Sequence, residues 1–116
     1  MTNEEIREKY PFLVTSKDTT WLNSIPEGWY ELVLDLCRDI SFFVDNSFEI
    51  FDMKEKWYQL RIYHNSDDPR VEQLINEAEK ESASICAVCG KSLEKPGGYI
   101  CKDCQDEIRR QYESKD

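Results

Sequence analysis

The sequence contains no long hydrophobic run, a single histidine and little glycine or proline. A membrane-spanning helix needs about 18 apolar residues in succession, so no spanning segment is expected. The N-terminal stretch MTNEEIREKY is polar and acidic, and it lacks the basic start and apolar centre of a signal peptide. The 116 residues contain four glycines and four prolines, with no internal repeat and no low-complexity tract. We therefore expect a soluble, cytoplasmic chain that makes no membrane contact.

Sequence motifs of the common enzyme classes are also missing. The chain has no GxGxxG, no Walker-type phosphate loop, no GxSxG and no HExxH. Metal-dependent nucleases built on a treble-clef finger need histidines on that finger, and residues 86–116 contain none. A hydrolase that uses His64 or Cys37 is an alternative, but neither residue has an evident catalytic partner. We predict that the chain is not an enzyme and that Cys37 is a buried packing thiol.

Negative charge is in excess, and it is unevenly distributed. The formal net charge is −9. Residues 1–85 carry 18 acidic and 9 basic side chains, whereas residues 86–116 carry 6 of each. A field of this sign repels phosphate backbones and suits a protein partner with a basic surface, including one that normally holds nucleic acid. The alternative is that the surplus acid only keeps the chain in solution.

The periodicity of apolar residues predicts an α+β fold. Hydrophobic residues make up 40% of the chain, which is enough for a core although the mean hydropathy is −0.70. Asp67 or Asp68 can cap a helix that has Pro69 in its first turn. Apolar spacing predicts helices at 3–10, 28–44 and 69–83 and strands at 48–56 and 59–64, joined at Trp57-Tyr58. Residues 1–85 would form a small α-β-β-α body, followed by a second domain at 86–116.

Four cysteines near the C-terminus form the most specific signal in the sequence. Cys86 and Cys89 are one CxxC pair, and Cys101 and Cys104 are a second, with eleven residues between the pairs. Paired CxxC motifs are typical of tetrahedral zinc sites, since each pair can place two sulfurs on one metal. Two disulfides or four free thiols are the alternatives. A cytosolic location disfavours the disulfides, and a quartet of thiols at this spacing matches tetrahedral zinc geometry. We predict one structural Zn²⁺ per chain, with no open coordination position.

The residues between and after these pairs indicate the type of finger. A Pro-Gly-Gly turn signal at 96–98 predicts a hairpin between the two pairs. The residues that follow Cys104 predict a helix, and thiolates are favoured at a helix N-terminus by its free N–H groups. The order of turn, hairpin and helix predicts a treble-clef-like four-cysteine zinc finger at 86–116.

A basic and aromatic patch lies on the predicted hairpin of the body. We predict that a partner binds there, at Lys54, Lys56, Trp57, Tyr58 and Arg61. Basic residues mixed with aromatic residues can also grip nucleic acid, although the acidic remainder of the chain disfavours this. The same residues on two strands can otherwise be a solvated face opposite the core.

Short motifs occur in order along nearly the full chain. They are Tyr10-Pro11, Gly28-Trp29, Leu36-Cys37, Lys54-Glu55-Lys56-Trp57, Leu60-Arg61-Ile62-Tyr63, Ala78-Glu79 with Ser82, and the four cysteines. This order resembles a family of small, largely uncharacterised zinc-finger proteins from phages and prophages. The chain departs from the family pattern at Trp57-Tyr58, where the family has Phe-Gly, and at Cys104, where it often has histidine. The resemblance implies a phage or mobile-element origin, with a location in the host cytoplasm.

These observations favour a non-enzymatic, zinc-stabilised module that binds a protein partner. A narrower hypothesis, based on the charge and the resemblance, is an anti-defence inhibitor of a host nucleic-acid-binding protein, similar to an anti-CRISPR. The alternative is a nucleic-acid-binding regulator that uses Lys102, Arg109 and Arg110 on the finger helix. The lack of net basic charge in residues 86–116 disfavours that alternative.

Overall fold

The computed structural model describes residues 2–113, and its elements follow the predicted order. The helices are α1 (Asn3–Lys9), α2 (Tyr30–Ile40), α3 (Pro69–Ser82) and α4 (Lys102–Glu113), and the strands are β1 (Ile50–Lys56) and β2 (Gln59–His64). Short 3-10 turns lie at Pro11–Leu13, Trp21–Ser24 and Glu27–Trp29. Helices combined with a two-stranded antiparallel sheet confirm the α+β prediction. No helix within residues 2–113 has the length and apolar character needed to cross a membrane.

Helix α2 is shorter than the apolar pattern predicted for residues 28–44. Gly28 and Trp29 lie in a 3-10 turn ahead of the helix. At the other end, the N–H groups of Phe42 and Phe43 donate to carbonyls three residues back, which tightens the backbone and ends the helix. Phe42 is 76% exposed, so the apolar pattern continues beyond the helix onto the surface.

Strands β1 and β2 form a hairpin with one face in the core. The buried side chains of the two strands are those of Ile50, Met53, Leu60 and Ile62. Trp57 and Tyr58 connect the strands with φ of 57° and 64°, the left-handed conformations of a two-residue hairpin turn that normally uses Asn-Gly. The carboxylate of Glu55 accepts a hydrogen bond from the N–H of Tyr58 at 2.8 Å, which supports this strained turn. The predicted connection at Trp57-Tyr58 is confirmed.

Helix α3 covers the outer edge of β2 with side-chain acceptors. The N–H of Leu60 donates to the Ser82 hydroxyl, and the N–H of Ile62 donates to the Glu79 carboxylate, each at 2.9 Å. The Ser82 hydroxyl in turn donates to the carbonyl of Glu79 at 2.6 Å. The edge of the sheet therefore has acceptors from α3 in place of a third strand.

We expect Ser82→Ala to lower the free energy of unfolding by about 1–3 kcal/mol, because it leaves the N–H of Leu60 without an acceptor. Ser82 is 1% exposed and Leu60 is fully buried, so water cannot replace the hydroxyl. Urea denaturation followed by circular dichroism measures the loss. Ser84→Ala is the control, since no hydrogen bond of the Ser84 hydroxyl occurs in the described part of the chain; equal losses in both variants would contradict the assignment.

Candidate metal centre

Four cysteine side chains converge on one point at the C-terminal end of the fold. The sulfurs of Cys86, Cys89, Cys101 and Cys104 all lie within 4.8 Å of one another. Metal–sulfur bonds of about 2.3 Å in a tetrahedron place the sulfurs about 3.8 Å apart, and those of Cys89 and Cys101 are 3.6 Å apart. All four thiols are free, so this cluster holds no disulfide. The cysteines are positioned to hold one metal ion with sulfur ligands only.

A tight turn after α3 presents the first pair of sulfurs. Backbone N–H groups of Val88, Cys89 and Cys101 donate to the sulfur of Cys86 at 3.3–3.5 Å. Gly90, at φ +82°, closes the turn with a hydrogen bond from its N–H to the carbonyl of Cys86. Burial acts to raise the pKa of Cys86, but these N–H donors together with the Cys89 thiol lower it to about 6. The turn thus stabilises a thiolate at its most buried ligand.

The second pair stands at the start of α4. The carbonyl of Cys101 accepts the N–H of Gln105 at 3.0 Å, and Cys104 lies in the first turn of the helix. The pKa of Cys104 is raised, first because its thiol shares hydrogen bonds with Cys101. A divalent cation would reverse this effect, since its charge favours deprotonated sulfur at every ligand.

The cysteine turn is docked against the start of α2. The N–H of Gly28 donates to the carbonyl of Ala87 at 2.8 Å, and the indole N–H of Trp29 donates to the carbonyl of Ile85 at 3.2 Å. The ring of Tyr99 lies edge-on to Trp29 at 6.1 Å. The Gly28–Ala87 hydrogen bond and the Trp29–Tyr99 ring contact therefore cross the predicted boundary between residues 85 and 86.

The segment between the two cysteine pairs bonds to the residues just after α3 and to the cysteine turn, with one isolated antiparallel bridge between Ile85 and Ser92. The N–H of Leu93 donates to the carbonyl of Ser84, and the N–H of Gly97 donates to the carbonyl of Ala83. These carbonyls follow the last turn of α3 and have no partner within the helix. The chain does turn at Gly97, with φ +84°, but between residues 86 and 101 the structure assigns no strand. The predicted hairpin there is absent.

His64 and Cys37 both have structural surroundings. Nδ1 of His64 accepts the N–H of Ser66 at 3.1 Å, and Nε2 lies 3.3 Å from the carboxylate of Glu72. The His64 side chain is only 7% exposed. Cys37 is 1% exposed, and burial raises the pKa of its thiol. Neither residue presents a free reactive atom to solvent, which favours a packing role for both.

The basic and aromatic patch is distributed over the hairpin and its turn. Lys54 and Arg61 are cross-strand partners, and Lys54 forms an ion pair with Asp52 at 3.0 Å. Trp57 is 81% exposed at the tip. Tyr58 packs against Tyr99 at 4.9 Å and so contacts the cysteine segment, while Lys56 pairs with Gln59 next to the turn. The structure brings these residues to one end of the hairpin, and their role as a partner site stays a prediction.

The basic residues of the alternative nucleic-acid hypothesis lie on α4 and are exposed. Arg110 forms an ion pair with Glu107 at 2.9 Å. Lys102 and Arg109 share the helix with Asp103 and Asp106, so α4 offers no continuous basic face. This distribution disfavours phosphate binding.

Comparison with protein-family models, with curated proteins and with solved structures gave no match. The resemblance to phage and prophage proteins therefore stays a prediction from the motifs alone.

Proposed function

We propose that the chain is a non-enzymatic, zinc-stabilised module that binds a protein partner with a basic surface. The observation that carries the proposal is the closed cluster of four sulfurs. Four protein ligands satisfy tetrahedral zinc and leave no position for water or substrate, which is the pattern of structural sites. Sulfur-only tetrahedral sites take zinc or iron–sulfur centres, and one ion of zinc fits four sulfurs that lie this close together.

Bound zinc would supply a fixed positive charge that ties the cysteine turn to the start of α4. The order of a CxxC turn, a connecting segment and a Cys pair at a helix start supports the finer assignment to a treble-clef-like finger. The connecting segment bonds to the carbonyls that follow α3 instead of forming a hairpin, so the end of α3 takes the place of the hairpin in supporting the finger. The role of the finger is to hold the surface next to α2 in one conformation.

A basic protein partner is supported by the net charge of −9, all of it in residues 1–85. Electrostatic complementarity raises the rate and specificity of association with such a partner. The same negative charge opposes the binding of nucleic acid, because it repels the phosphate backbone. The narrower hypothesis is an anti-defence inhibitor from a phage or mobile element, and it is based only on the charge and the motif resemblance. In that hypothesis the basic partner is a nucleic-acid-binding protein of the host.

Affinity capture tests the protein-binding function. The zinc-loaded chain is immobilised and exposed to host lysate treated with nuclease, and bound proteins are identified at low and at high salt. We expect at least one basic protein to bind at low salt and to be released by high salt, since the charged contacts are screened. The absence of any salt-sensitive protein, or tight DNA binding with a steep salt slope in a filter-binding titration, would overturn the proposal.

A further inference from the structure

A groove with an acidic rim runs between α2 and α3 and ends at the cysteine turn. It consists of two cavities of about 520 and 140 Å³ that share Leu32, Asp35 and Glu81. Neither cavity is lined by lysine or arginine. The rim carries six carboxylates, those of Glu27, Glu31, Asp35, Asp39, Glu77 and Glu81. We call this surface the acidic groove.

The spacing of the rim concentrates negative charge on both helices. Glu31, Asp35 and Asp39 recur every fourth residue of α2, after Glu27 in the 3-10 turn before it. The two carboxylates on α3 are also four apart, so those on each helix lie on one helical face. Like charges at this spacing repel one another and destabilise a helix. Arg38 contacts Asp35 and Asp39 at 3.6 and 3.5 Å. Within residues 2–113 no salt bridge reaches the other four, Glu27, Glu31, Glu77 and Glu81.

The floor of the acidic groove is apolar. It is formed by Leu32, Leu36, Leu74, Ala78, Ile85 and Val88. Val88, on the cysteine turn, is 47% exposed. From residue 27 to residue 39 the α2 side spans about 18 Å, which is the length of roughly three helical turns. An apolar floor between charged rims fits an amphipathic helix that lays its apolar face into the groove.

We propose that the acidic groove binds a basic amphipathic helix of the partner protein. Its apolar side chains contact the floor, and its lysine or arginine side chains face the carboxylates of both rims. This inference rests on the proposed protein-binding function and assigns the surface that performs it. The basic patch at Lys54, Lys56 and Arg61 has the same sign as such a partner, so the contact that we propose lies at the acidic groove. Val88, Cys89 and Gly90 close one end of the acidic groove, which makes its shape depend on the cysteine turn.

A peptide titration tests the acidic groove directly. The probe is a fluorescein-labelled peptide of about 14 leucines and lysines arranged as an amphipathic helix, titrated with the zinc-loaded full chain and followed by anisotropy. A triple variant, Glu31→Gln, Asp35→Asn and Glu81→Gln, removes rim charges that lie on the surface. We expect this variant to bind the peptide about tenfold more weakly than the parent chain. A scrambled peptide of the same composition is expected to bind more weakly than the patterned one.

The matched control removes the same charge elsewhere. Glu4→Gln, Glu8→Gln and Asp18→Asn change exposed residues outside the acidic groove and are expected to leave the affinity within about twofold. Equal weakening in both triple variants, or equal binding of both peptides, would mean general attraction to cations and would overturn the inference. If the groove variant captures the salt-sensitive protein to the same extent as the parent chain does, the inference is also overturned. The protein-binding function would remain intact in that case. Failure of the function itself appears separately, as the absence of any such protein.

Discussion

Cys101→Ser is expected to abolish stoichiometric zinc binding and to lower the melting temperature by roughly 10 °C or more. Without the sulfur of Cys101 only three sulfurs hold the ion, and a hydroxyl is a poor replacement for a thiolate. Apart from backbone hydrogen bonds and the ring contacts of Tyr99, the cysteine segment has little buried surface of its own. From residue 86 to residue 112, only Cys86 and Ala87 are buried. An isolated helix of the length of α4 is marginal in water, so it unfolds when the metal is lost.

Native mass spectrometry and differential scanning calorimetry measure this result. The parent chain is expected to carry one zinc ion, and Cys101→Ser none. Cys37→Ala is the matched control because it removes a cysteine that lies outside the cluster. It is expected to retain one zinc ion, with a lower stability that reflects the lost buried volume. A Cys101→Ser chain that keeps both its zinc and its melting temperature would exclude a structural metal.

Local patterns in the sequence predicted those parts of the molecule that neighbouring residues determine. The CxxC spacing identifies the four cysteines that the structure brings together. Helix α3 begins at Pro69 because Asp68 caps it by accepting the N–H of Arg70, as the sequence indicated. The alternating pattern of residues 48–64 predicted two strands joined around Trp57-Tyr58, and β1 and β2 pair across this connection. In each case the controlling contacts lie within a few residues along the chain.

Features that depend on distant residues were not predictable in the same way. Between the cysteine pairs, Leu93 and Gly97 bond to carbonyls beyond the end of α3, and no local signal shows that these acceptors are within reach. The acidic groove also depends on contacts between residues that are distant in the sequence. The recurrence of acid from Glu27 to Asp39 is visible in the sequence, but its use as a rim depends on Glu77 and Glu81 from another helix. Only the packing of α2 against α3 brings the carboxylates of the two helices to opposite sides of one groove.

Gly28→Ala is expected to lower the free energy of unfolding by about 3 kcal/mol and to weaken zinc binding. A Cβ atom at this position would lie 2.1 Å from the carbonyl oxygen of Cys86 and 2.6 Å from the carbonyl carbon of Ala87. Both are backbone atoms, so no side-chain rotation relieves the clash. The cysteine turn must move away, which breaks the hydrogen bond from the N–H of Gly28 to Ala87. Displacement of Cys86 then distorts the cluster of sulfurs.

Urea denaturation and competition with a zinc-chelating dye separate the two effects. Gly98→Ala is the control, since its Cβ would lie 3.3 Å from the carbonyl oxygen of Lys95 and meets no closer atom. We expect that variant to lose about 1 kcal/mol or less and to hold zinc as the parent chain does. If Gly28→Ala matched Gly98→Ala in both measurements, the cysteine turn would not be seated on the start of α2. Because the same turn closes the acidic groove, Gly28→Ala is also expected to weaken binding of the basic peptide, whereas Gly98→Ala is not.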